Sequence, residues 1–148
     1  MTIPTLADLI PVLQVAIGPV ILISGAGLVL LSMTNRIGRA IDRARLLKQE
    51  LHGQPPEAQR NMHAQLSILA HRAHLLRQAI ILLCVSILLA ALLIISLFLA
   101  ALLRWEAGWL ILVLFVGCLA ALIAAMVPFI EDVNQSLKAL ELDLSTDD

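Results

Sequence analysis

The sequence predicts an all-α integral membrane protein, with three transmembrane helices and a long cytoplasmic helical hairpin between spans one and two. Three observations carry that expectation. Three long apolar runs, Val12 to Met33, Ala79 to Leu103 and Trp109 to Ile130, contain no Asp, Glu, Lys, Arg or His. Eight of the ten Lys and Arg residues lie in the one segment that joins the first run to the second. That segment is itself patterned with apolar residues at helical spacing. The 148-residue chain is 60% hydrophobic and 14% charged, whereas soluble domains run at roughly 45–50% and about 25%. The mean hydropathy of +0.94 therefore excludes an ordinary soluble domain.

The first run is long enough to cross a hydrocarbon core of ~30 Å as a helix, which takes about 20 residues. Helices are expected over strands because the runs are continuous and a lipid-exposed backbone must satisfy its own hydrogen bonds. The stretch before the first run has Asp8 and no basic residue. It lacks the basic start and small-residue cleavage site of a signal peptide, so the first run is expected to stay in the protein.

The joining segment, residues 34–78, carries Arg36, Arg39, Arg43, Arg45, Lys48, Arg60, Arg72 and Arg77. The positive-inside rule makes it cytoplasmic, with the N-terminus outside. Ile37, Ile41, Ala44, Leu47 and Leu51 recur at helical spacing, and His52-Gly-Gln-Pro-Pro56 then breaks the pattern, with Gly53 suited to a helix end. From Glu57, residues Met62, Leu66, Leu69, Ala73, Leu76 and Ile80 alternate four and three apart, a coiled-coil seam running into the second span. Helices over 34–52 and 57–77 each project roughly 30 Å, so they match as an antiparallel pair.

The second span ends at the short turn Arg104 to Gly108, where Trp105 and Trp109 suit the outer interface. The third span leads past Pro128 into a tail helix, residues 131–144, with Val133, Leu137, Leu140 and Leu144 on one face. Residues 131–148 hold six acids against Lys138, while residues 34–78 hold eight basic residues against three acids. An acidic tail helix docked on a basic hairpin is the expected consequence. The whole chain, 1–148, is read as a single membrane domain.

The run Gly18-Pro-Val-Ile-Leu-Ile-Ser-Gly25, followed by Leu-Leu-Ser-Met-Thr-Asn-Arg36 and Ile41-Asp-Arg-Ala-Arg-Leu46, resembles a bacterial family of small membrane proteins, domain of unknown function 2721. The likeness extends from about Leu13 to Leu140 and takes in the span boundaries at Arg77 and Glu131. It implies an inner-membrane, three-helix protein and supplies no activity.

Four constellations are candidates for function. Gln14, Gly18, Gly25 and Ser32 fall close to one face of the first span, as either a tight helix-packing stripe or a polar stripe lining a path for ions. The third span has Gly117, Ala121, Ala124, Ala125 and Pro128, and the second has Ala79, Ser86 and Ala90. One chain cannot use so much small-residue surface and also enclose a pore, so a homo-oligomer, four or more subunits, is expected. Arg36, Arg77, Glu131 and Asp132 end the spans and are either anchors and salt bridges or the cytoplasmic mouth of a channel. Arg39, Arg43 and Arg45 form a basic face on the hairpin, suited to anionic headgroups, a neighbouring subunit or a cytoplasmic protein partner.

The remaining candidates are weaker. His63, His71 and His74 share a helix, with His52 across the break, and read as a solvated face rather than a metal site. Cys84 and Cys118 read as small packing residues. Nucleic-acid binding is not expected, since the basic segment has no aromatic residues to stack on bases. Motifs for phosphate loops, metalloproteases or activated nucleophiles are missing, so neither enzyme activity nor a cofactor is expected. Charge-free spans also argue against a proton-coupled transporter. A homo-oligomeric inner-membrane protein that conducts ions along its first span is the leading expectation. The alternative is a scaffold whose hairpin binds a partner.

Overall fold

Every described element is α-helical. A computed structural model describes residues 6–50, 55–103, 106 and 108–145, with side chains over the narrower set 10–50, 55, 59, 62–63, 65–103, 106 and 108–136. Three helices follow one another: α1 (Leu6–Glu50), α2 (Pro56–Leu103) and α3 (Gly108–Ser145). Each contains a stretch long and apolar enough to cross a membrane. Only 11–22% of those stretches is buried within the chain, so most of their surface is left for lipid or for other chains.

Local chemistry accounts for where the helices start and continue. Pro56 opens α2 because a proline in the first helical position gives up an N–H that has no partner there anyway. The Gln59 N–H donates to the Pro55 carbonyl at 3.1 Å, closing the first turn. Of the two prolines expected to break the chain, Pro56 thus belongs to the helix. Gly53 lies outside the described residues. Pro11, Pro19 and Pro128 all sit inside helices, where the lost backbone bonds leave each helix continuous.

The described chain divides into two compact units. The first comprises residues 1–30 and 82–123. Among its described residues the buried ones are mostly small: Ala16 and Ala26 on α1, Ser86 and Ala90 between Leu83 and Leu93 on α2, and Cys118 on α3. Small side chains let helix backbones approach closely, which matters where lipid removes the hydrophobic drive for helix association. Ser86 and Cys118 fasten α2 to α3 reciprocally. The Ser86 hydroxyl donates to the Cys118 carbonyl at 2.9 Å, and the Cys118 thiol donates to the Ser86 carbonyl at 3.3 Å. Gly117 stands at ordinary contact distance from Leu89, which a Cβ there would meet at 3.6 Å.

The second unit comprises residues 31–81 and 124–148. Here α1 buries Met33, Ala40 and Leu47, seven residues apart, and α2 buries Leu75, Leu76 and Ala79. The α1 and α2 segments run side by side, with a groove between them lined by Ala40, Ala44, Leu66, Leu69 and Ala73. Among the seam residues read from the sequence, Leu76 is buried and Met62, Leu66, Leu69, Ala73 and Ile80 are half-buried. Towards the span the buried register passes through Ala79 rather than Ile80. On α3 the buried residues Ala125 and Asp132 are again seven apart.

Candidate functional site

In the second unit the side chains that bear charge at the ends of the spans separate into two groups. Asp132 is fully buried, and its two oxygens are divided between two helices. Arg36 on α1 donates from Nη1 to Oδ2 at 2.9 Å, and Arg72 on α2 donates from Nε to Oδ1 at 3.0 Å. Arg72 also donates from Nη2 to the Ser136 hydroxyl one turn further along α3. Ser136 in turn donates to the Asp132 carbonyl at 3.0 Å. The Arg36 guanidinium lies 5.7 Å from the centre of the Phe129 ring, within range of a cation–π attraction. One carboxylate thus ties α3 to both other helices.

That arrangement separates Arg36 and Asp132 from the other two candidates for a cytoplasmic mouth. Arg77 and Glu131 are exposed, whereas Asp132 is enclosed by its own chain. Of the acids expected to dock on the basic segment, Asp132 meets it through Arg36 and Arg72, Glu131 is exposed, and the side chains from Glu141 onward lie outside the described residues. Arg39, Arg43 and Arg45, the basic face, are all exposed. The sequence places Arg72 in the basic segment without indicating its partner, and nothing in it marks Ser136. The signal present in the sequence was the opposition of a basic segment and an acidic tail. The side chains of Leu137, Leu140 and Leu144 lie outside the described residues.

The stripe on the first span faces away from the chain. Gln14, Gly18, Gly25 and Ser32 are all exposed. A Cβ added at Gly18 or Gly25 would meet nothing within 4 Å. These glycines therefore make no close helix contact within one chain. Beside them, Ser24 donates to the Val20 carbonyl at 3.2 Å on its own helix.

His63, His71 and His74 are exposed, and a ring nitrogen of His74 lies 3.1 Å from the Gln78 amide nitrogen. Among the described residues no group of three or more His, Cys, Asp or Glu side chains converges to hold a metal ion. His52 lies outside them. Cys118 is buried and Cys84 exposed, and neither is in a disulfide.

Residues 16–142 match the family described as protein of unknown function (DUF2721), and the chain belongs to that family. No curated protein and no solved structure matches the chain.

Proposed function

We propose that this member of the DUF2721 family is a homo-oligomeric inner-membrane protein of four or more subunits that conducts ions along its first helix. The single observation that supports this reading is the outward stripe of Gln14, Gly18, Gly25 and Ser32, with open space at both glycines. A primary amide facing hydrocarbon without a partner costs several kcal/mol, on the order of 2–7. A neighbouring subunit or water removes that cost. Placing the stripe around a central axis satisfies the amide and the hydroxyls and lets the subunits approach closely at the glycines. Residues 34–78 then form a cytoplasmic hairpin, and the tail helix lies on the same side with the N-terminus outside.

Native mass spectrometry of the detergent-purified chain tests the assembly, and flux into proteoliposomes tests conduction. Four or more subunits, with flux reduced at least tenfold by Gln14→Leu, are expected. A monomer or dimer overturns the reading, because three or six spans offer too few helices to enclose an aqueous path. Charge reversal at exposed Arg77 or Glu131 is the cleaner probe of the mouth. Arg36→Glu sets two carboxylates against each other at Asp132 and so tests the ion pair instead.

A second reading is supported by the exposure of Arg39, Arg43 and Arg45. In it the chain is a non-conducting scaffold whose hairpin binds a cytoplasmic partner. It predicts no flux, and loss of a co-purifying protein when residues 53–56 are altered.

A further inference from the structure

Four arginines of the second unit converge on one cleft. Arg36, Arg39 and Arg43 on α1 and Arg72 on α2 line it, over a floor of Ala40 and Leu69, and its volume is about 270 Å³. Asp132 pairs with two of them, Arg36 and Arg72, and no carboxylate is among the residues that line the cleft. Arg36 and Arg72 are already held in place, by Asp132, Ser136 and the Phe129 ring. Arg39 and Arg43 are exposed and form no ion pair with the described residues.

We infer that this cleft binds a phosphate group. Guanidinium groups present paired N–H donors in a rigid fork that matches phosphate oxygens, and a fork already oriented loses less freedom on binding. Asp132 occupies one edge of each of the two held arginines and leaves the other donors of Arg36 available. Arg39 and Arg43 supply the unspent charge from one and two turns further along α1. The space is small beside the roughly 300–1,000 Å³ of drug-sized ligand sites. It suits a headgroup or a free anion better than a nucleotide.

The position of the cleft bears on the source of that phosphate. Arg36 lies three residues beyond the first apolar run, and Asp132 two residues beyond the third. That is the depth of the headgroup layer, where anionic lipid attracts basic residues by about 1 kcal/mol each. A phosphate diester on a lipid and a free phosphate in the cytoplasm share the chemistry, and they are separated by experiment.

The full-length protein is purified in detergent and titrated with phosphatidylglycerol, phosphatidylcholine or inorganic phosphate. Bound lipid is counted by native mass spectrometry, and the melting temperature is followed in parallel. Arg43→Gln removes one charge from the cleft. Lys48→Gln removes one charge from the same helix, beside the neighbouring groove. Retention of phosphatidylglycerol over phosphatidylcholine, reduced at least fivefold by Arg43→Gln and unchanged by Lys48→Gln, supports a lipid source. A rise in melting temperature with inorganic phosphate, lost in Arg43→Gln alone, supports a free anion. No retention of either probe, or an equal response to the two substitutions, overturns the inference. Neither substituted side chain is an ion-pair partner of Asp132, and the melting temperature of each variant without added ligand reports whether its fold is intact.

Discussion

Asp132 is the side chain through which α3 meets both other helices in the second unit. It is fully buried, and both of its oxygens are used. Removing it leaves Arg36 and Arg72 without a counter-charge in a partly dry environment. Breaking a fully buried pair costs about 3–5 kcal/mol, but each arginine side chain here is 26% exposed, which places Asp132→Ala nearer 2–3 kcal/mol. A clear fall in melting temperature in detergent is expected, with a smaller fall for Asp132→Asn, which keeps the shape. An unchanged melting temperature for both variants would show that the pair is worth nothing net. Ser86→Ala deletes one of the two reciprocal bonds to Cys118. Interhelical bonds of this kind average about 0.6 kcal/mol, so a small destabilisation is expected. Ser86→Leu, at a position with no exposure, should prevent α2 and α3 from packing. Of these contacts the sequence disclosed only the ingredients. It showed a basic segment and an acidic tail, yet Arg72 and Asp132 are sixty residues apart, and their meeting depends on the rotation of each helix about its axis. Several basic residues compete for the same acid until that rotation is known.

The three helices were far more legible than their contacts. Uninterrupted apolar runs and the absence of charge are local properties, and backbone hydrogen bonding in lipid leaves a helix as the only option for them. Their continuation beyond the apolar runs could be read from the repeat of apolar residues between Ile37 and Leu76. What periodicity could not supply was register: it marked Ile80 where the buried position is Ala79, because both are apolar and adjacent. The α1 helix has two distinct sides. One carries Ala26, Met33, Ala40 and Leu47, all buried, and the other carries Gly18, Gly25 and Ser32, all exposed. Gly25→Leu separates their roles. With nothing within 4 Å of a Cβ at that position, the substitution should leave the folding free energy of a single chain within about 0.5 kcal/mol, as for surface sites generally. In the proposed assembly the same substitution should lower the subunit count measured by native mass spectrometry. An unaltered count would remove Gly25 from any contact between subunits.

Across the chain as a unit, charge is sorted more strictly than anything else. Eight of ten basic residues lie between the first two apolar runs, and the orientation that follows can be measured without knowing the function. In a background with Cys84→Ser and Cys118→Ala, Asp8→Cys should react with a membrane-impermeant maleimide on intact cells. Arg45→Cys should react only after the membrane is opened. The reverse pattern would invert the topology and move the arginine cleft to the other face.

The sharing of Asp132 between Arg36 and Arg72 also bears on how the protein is made. A ribosome delivers the chain from its N-terminus, so both arginines are present while their common counter-charge is still unsynthesised. Until α3 arrives, Arg36 and Arg72 lack the carboxylate that they share. The contacts that join the three helices at Asp132 can therefore form only once the third helix has been made. A chain ended before Asp132 is expected to be cut faster than the full chain in limited proteolysis, and equal rates would show that the shared carboxylate does not hold the second unit closed.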